Sequence, residues 1–239
     1  IVWQLSQKNK LSVYNDRLLK NRGADMTAGV DPATGSAQWN SPIYTTGSIK
    51  LASTVSSRIL VEGGFSTNVE RYNIFMQDGV KKERGTPEWY TQVYKTDSAL
   101  GTQWNAVSQT YGRYPDRYTF GGSVSYVTGS HNIKVGFQDS FGPYRRYNNA
   151  NADLYQVYNT PAASCTVVAC NPIPFQVTVL NTPLEVQEYL DANLGVYAQD
   201  SWKLNKLTLN FGLRFDHVKQ HIDGQKAQVG RFASAPAYD

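Results

Sequence analysis

No stretch of this sequence approaches 18 consecutive apolar residues, which excludes a membrane-spanning helix. Cysteine is scarce: two in 239 residues rule out a disulfide-stapled scaffold and a four-cysteine zinc site. Glycine (19) and proline (10) stay below low-complexity or collagen-like levels. A net charge of +4 is too mild to point to nucleic acid, and no such partner is expected. A basic-then-apolar leader is missing from the start, where the chain opens on Ile1-Val2-Trp3. Also missing are a nucleophile elbow, a phosphate-binding glycine loop, a His-Glu-x-x-His helix and paired helical carboxylates. No catalytic residue, enzyme activity or cofactor is therefore assigned. Gly63-Gly64 and Gly121-Gly122 fall within strand patterns, where they mark bends. His217 and His221 stand about 13 Å apart if extended, too far to share one ion, so no metal site is expected.

What is present is aromatic and alternating. Rings make up 13% of the chain, with 16 tyrosines, so the composition is not that of a disordered protein. In Leu207-Thr208-Leu209-Asn210-Phe211-Gly212-Leu213-Arg214-Phe215-Asp216, large apolar residues occupy every second position. This period is that of a strand with one apolar and one polar face. Leu194, Val196, Ala198 and Trp202 alternate the same way. A turn at Leu204-Asn205 pairs Trp202 with Leu207, Ala198 with Phe211 and Leu194 with Phe215, all on one face. A turn at Gly129-Ser130 sets Tyr126 against Ile133 and Val124 against Val135. A loop at Val55-Ser56-Ser57 sets Leu51 against Val61 and Ile49 against Gly63. Across Gln7-Lys8-Asn9, Trp3 and Leu5 oppose Val13 and Leu11. The reading is all-β, with about eight strands in four hairpins.

The connections are unequal. Turns are two or three residues long, whereas polar stretches of roughly 18–42, 71–116 and 145–189 separate the hairpins. Such loops are uncommon in a compact soluble domain. Short periplasmic turns and long extracellular loops characterise an antiparallel up-and-down transmembrane β-barrel. An antiparallel soluble sheet shares the alternation; the loop asymmetry is what favours the barrel. Lys50, Glu62, Lys134, Arg214 and Asp216 would then face a lumen and the apolar side lipid, including Leu207, Leu209, Phe211, Leu213 and Phe215. Trp3 and Trp202 near the short turns, with Tyr118, Phe141 and Tyr144 near the long loops, suit interfacial girdles.

The stretch Leu194-Gly195-Val196-Tyr197-Ala198-Gln199-Asp200-Ser201-Trp202-Lys203, followed by the strand 207–216, resembles a signature hairpin of TonB-dependent outer-membrane receptors. In that superfamily a Tyr-x-Gln-Asp-x-Trp strand turns into a Leu-Thr-Leu-Asn-x-Gly-Leu-Arg-Tyr-Asp strand; this chain has Phe215 at the tyrosine. The opening Trp3-Gln4-Leu5-Ser6-Gln7-Lys8-Asn9-Lys10-Leu11 and the stretch 56–65 are similar to the Oar-like subgroup. That subgroup joins a carboxypeptidase-regulatory-like domain to a plug and a large barrel. No TonB box, plug or terminal aromatic strand is seen, and the polar stretch ending at Asp239 reads as an outer loop. Residues 1–239 are therefore expected to form an internal part of a larger barrel in a Gram-negative outer membrane. The resemblance implies outer-membrane lipid, a plug domain and TonB as partners, and uptake of an oligosaccharide, siderophore or peptide. Two other readings are a secreted or surface-anchored adhesin-like module and a plug-less porin.

Candidate contacts lie in the long loops. Tyr72, Trp89, Tyr90, Tyr94, Trp104, Tyr111 and Tyr114 offer stiff aromatic area with a polar handle, suited to a ligand or to a small loop core. Lys81, Lys82 and Arg84, with Arg145 and Arg146, are candidates for lipopolysaccharide phosphates or for a solvated loop surface. Cys165 and Cys170, four residues between them in a loop on the oxidising side, read as a disulfide; the spacing is not Cys-x-x-Cys and no His adjoins.

Overall fold

The computed structural model describes residues 1–166, 170–224 and 229–234. The N-terminal strands are β1 (Val2–Gln4), β2 (Asn9–Arg17), β3 (Lys20–Asp25), β4 (Ala37–Thr54) and β5 (Ile59–Met76). A short helix α1 (Pro87–Thr91) precedes β6 (Tyr94–Asp97), β7 (Thr102–Trp104), β8 (Thr110–Thr128) and β9 (His131–Asn149). Then come β10 (Leu154–Tyr158), β11 (Pro174–Val179), β12 (Leu184–Leu204) and β13 (Leu207–Ile222). The main sheet runs β1-β2-β4-β5-β8-β9-β12-β13, every neighbour antiparallel, with β3 also paired to β4. It is an all-β, up-and-down sheet of four hairpins, open between β1 and β13 among the described residues. No described helix is long and apolar enough to cross a membrane.

Register puts the apolar residues on one face across the whole sheet. Ile49 lies opposite Phe65, Phe65 opposite Phe120, and Val124 between Val61 and Val135. Val135 and Phe137 face Ala198 and Val196, which in turn face Leu213 and Phe215. These side chains are exposed, Leu213 to 85% and Phe215 to 66%. So large a contiguous apolar area is far beyond what a soluble monomer leaves in water. The opposite face is polar and concave: its hollows are lined by Lys50, Glu62, Lys134, Tyr197 and Arg214. Glu62 bridges Lys50 at 2.8 Å and Lys134 at 3.2 Å, and Arg214 pairs with Asp216 at 2.8 Å. Tyr197 lies over Gly136, where a Cβ would come within 2.6 Å of the ring; the missing side chain lets the ring lie flat on the wall.

The Gly129-Ser130 turn has the expected register, with Gly129 at φ +55°. Three other hairpins are displaced by two residues from the sequence reading. Asn205 takes φ +53°, so Asn205-Lys206 form the turn and Leu204 pairs with Leu207. Trp202 therefore meets Leu209, Ala198 meets Leu213 and Val196 meets Phe215. Likewise Leu51 meets Gly63, Ile49 meets Phe65 and Trp3 meets Leu11. A slip of two keeps every side chain on its face, so the face assignments stand.

The strands are also longer than expected. β8 and β9 have 19 residues each and β12 has 21, whereas about 9–11 suffice for a tilted strand to cross the hydrocarbon. Residues 37–42, 71–76, 110–116, 145–149 and 184–189, read as loop, are strand. Their alternation is hidden because beyond the apolar band both faces meet polar surroundings. Tyr118 and Phe141 pack together at 5.6 Å on the convex side, as a girdle requires. Tyr144 is corrected: it projects to the concave side and lines a hollow there.

A face test follows. Val124→Arg, convex and central on β8, should cost assembly about 2–4 kcal/mol, read as loss of the heat-modifiable band on unheated gels of membranes. Gln138→Arg, on the concave side of β9, should leave that band intact. Equal loss from both would refute the assignment of faces.

Candidate functional site

The long strands carry a cap at the end opposite the short turns. Residues 77–109, 150–166 and 170–183 fold together around a second sheet, β11-β10-β6-β7, with β10 parallel to β6. Its core is two small clusters. Met76, Val80, Ala106 and Val107 form one, and Trp89, Val93 and Ala152 the other. Thr86 caps α1 by accepting the Trp89 N–H at 3.3 Å, and Pro87 starts the helix, which turns Trp89 inward.

Arg84 ties the two loops. Its guanidinium donates to both carboxylate oxygens of Asp153 (3.1 and 2.6 Å) and to the Thr182 carbonyl (2.7 Å). It also lies 4.8 Å over the Trp89 ring. Asp153 is 1% exposed and also accepts the Thr182 hydroxyl. Farther along, Arg231 donates to the Ala152 carbonyl at 2.6 Å and lies 4.7 Å over Tyr90, so the segment after β13 joins the cap. The first loop docks through Asp31 N–H to Gln103 O (2.8 Å) and Asn105 N–H to the Thr34 hydroxyl (2.8 Å). The Asp31 carboxyl is held below its ordinary value of 3.8, chiefly by the Thr34 hydroxyl and then by the Ala33 N–H.

Below the cap the concave wall holds a hollow of about 1220 Å³. Glu70, Tyr72, Arg113, Arg117, Tyr144 and Glu188 are its chemically active lining. Above it runs a row of rings: Trp39 to Tyr72 at 4.8 Å, then Tyr72 to Tyr111 at 5.9 Å. Arg22 covers Trp39 at 4.6 Å, and Arg113 covers Tyr111 at 4.6 Å. Arg146 pairs with Glu188 at 2.7 Å. On the convex side, Arg71 pairs with Asp116 (3.0 Å through Nη2) and lies 5.5 Å from Tyr114.

The structure divides the residues singled out from sequence. Trp89 is buried in the cap, and Tyr94 packs beside Met76 and against Tyr155 at 5.2 Å. Trp104 lies against Tyr158 at 5.3 Å, while Tyr90 is exposed beneath Arg231. Tyr111 and Tyr114 belong to β8, not to a loop. Tyr111 projects into the lumen side; Tyr114 projects to the convex side and donates to Asn73 Oδ1 at 2.6 Å. Arg145 and Arg146 are in β9 and point opposite ways, Arg145 outward and Arg146 inward to Glu188. Lys81 is exposed on the cap and Lys82 donates to the Gly79 carbonyl at 3.0 Å. Cys165 and Cys170 form a disulfide. His217 and His221 lie on β13, and His221 stacks on Tyr189 and contacts Asp191 at 2.9 Å. Tyr72 and Tyr111 meet in the ring row, whereas Trp39, in a stretch read as a polar loop, was missed as a site residue.

An antiparallel sheet with an apolar convex face, a charged concave face, short turns at one end and a folded loop cap at the other defines a segment of an outer-membrane-type β-barrel. The sequence matches the family described as TonB dependent receptor-like, beta-barrel, over residues 3–236, and the chain belongs to it. The crystal structure of the outer membrane transporter YddB from Escherichia coli shares the fold, with a TM-score of 0.50 at 10% identity. The alignment covers 92% of this chain and 27% of that one, so the chain spans about a quarter of that transporter's length. No curated protein matches the sequence.

Two measurements probe the cap. Arg84→Ala leaves the Asp153 carboxylate buried without its cation and should loosen the cap by about 2–3 kcal/mol, the low end for a broken buried pair because Arg84 is itself half exposed. Hydrogen exchange should rise in 77–109 and 150–183 while β8 and β9 stay protected. Asp31 stabilises the first loop above pH 3.8, and the contribution is lost as pH falls through its lower folded value. Exchange in 26–36 should accelerate at such acid pH, and Asp31→Asn should show that rate at neutral pH.

Proposed function

We propose that this chain is part of the barrel of a TonB-dependent, Oar-like receptor in a Gram-negative outer membrane, which takes up a ligand through a plug-gated lumen. The observation that carries the reading is the hollow of about 1220 Å³, walled by the long strands β5, β8, β9, β12 and β13. Loops built on a rigid sheet are suited to capture. The polar concave wall supplies hydrogen-bond partners along the route inward. A plug in the intact protein would close the lumen, and TonB would supply energy through it. The reading assigns no bond chemistry, enzyme activity or nucleic-acid partner. Residues 1–239 act in it as one part of the barrel wall.

Outer-membrane lipid is the partner of the convex face. Arg145, two outward positions above Phe141, is suited to meet headgroup phosphates, as are Lys81 and Lys82 at the cap surface; Arg84 and Arg146 have carboxylate partners instead. A soluble adhesin-like module would leave the Phe65, Phe120, Val135 and Phe211 face in water. The test is growth of the native strain on small nutrient pools with the intact receptor, with Tyr72→Ala and Arg113→Ala, and with TonB removed. Loss of the same nutrient's uptake in all three supports the reading. Uptake independent of TonB would favour a plug-less porin.

A further inference from the structure

Every other carboxylate on the concave wall of β5, β12 and β13 has a cation. Glu62 has Lys50 and Lys134, Glu188 has Arg146, and Asp216 has Arg214. Glu70 has none. Its neighbour Arg117 likewise has no ion pair or side-chain hydrogen bond among the described residues. Both line the large hollow. Glu70 sits between the Val69–Asp116 and Tyr72–Arg113 pairs of the β5–β8 register, and Arg117 lies opposite Asn68. They are diagonal neighbours on one face, about 7–8 Å apart at the backbone, and their charged ends do not meet.

From this we infer that the hollow takes a short zwitterionic, peptide-like ligand, with Glu70 receiving its ammonium and Arg117 its carboxylate. The inference rests on the hollow's being the ligand site, as proposed above. A neutral ligand such as an oligosaccharide would strip water from two charges and return a partner to neither, which is costly. A multiply anionic chelate would meet Arg113 and Arg117 but also the carboxylates of Glu70 and Glu188 on the same wall. A zwitterion satisfies both. At about 3.3–3.6 Å per residue, two or three residues match the separation of about 7–8 Å between the two backbone positions. The ring row of Trp39, Tyr72 and Tyr111 adds apolar and stacking area for side chains above that floor.

The test uses the intact receptor in detergent and a random tripeptide pool in three forms: free, N-acetylated, and C-amidated. Maltotriose and a ferric tricatecholate complex are the other probes. Retention is read by mass spectrometry and affinity by calorimetry. The free pool should be retained and both blocked pools should bind about 10- to 100-fold more weakly, the range of a hydrogen bond to a charged group. Glu70→Gln should weaken the free and C-amidated pools but not the N-acetylated one. Arg117→Gln should weaken the free and N-acetylated pools but not the C-amidated one. Glu70→Asp should recover part of the loss. Heat-modifiable mobility confirms that each variant is assembled. Retention of maltotriose or the ferric complex with no peptide bound would overturn this inference and leave the proposed function standing. Equal binding of free and blocked pools, or no peptide retained, would also overturn it. Variants lining the hollow that alter uptake of nothing would instead defeat the site assignment itself.

Discussion

A backbone N–H or C=O left unpaired in hydrocarbon costs several kcal/mol, and every other feature of this chain follows from that penalty. Strands meet it only by bonding sideways to neighbours, which forces an up-and-down sheet. Pairing sideways leaves side chains free to alternate, one face for lipid and one for the lumen. The four hairpins of the sheet obey this through matching registers, so that Val61, Val124, Val135, Ala198 and Leu213 form one outward row across five strands. A one-residue slip anywhere would turn a row of charges into lipid.

The same constraint separates the two ends. Where strands cross lipid they need only a short turn, and Gly129 and Asn205 supply positive φ for two of them. Beyond the hydrocarbon water can satisfy the backbone, so the chain is free to build. It does so with strands that continue upward and loops that pack on each other. The cap gains stability from few but buried polar ties, chiefly Arg84 to Asp153, because its apolar clusters are small.

Legibility varied along the chain for physical reasons. In the membrane band the period-two pattern is forced by two solvents, so strands such as 207–216 and their lipid face were readable. Registers were less so: a shift of two preserves every face, and composition could not distinguish Leu204-Asn205 from Asn205-Lys206 as the turn. Above the band one solvent meets both faces, the pattern fades, and β5, β8, β9 and β12 were each cut short. The ring row shows the consequence. Trp39 and Tyr72 lie in those hidden strand ends, and only their pairing with β8 brings them to Tyr111.

Alone, the sequence determined the class of structure and which strand residues share the apolar face, because each depends on local spacing and side-chain type. Tertiary structure decided which way each residue near the loops points. Arg145 and Arg146 are adjacent and chemically identical, yet one faces outward and the other bonds Glu188. Tyr111 and Tyr114 divide likewise between lumen and convex face. These outcomes depend on the register of strands far apart in the chain, and on bulges such as those at Asn40/Ile43 and Leu190/Ala192. Long-range pairing sets them, and local composition carries no trace of it.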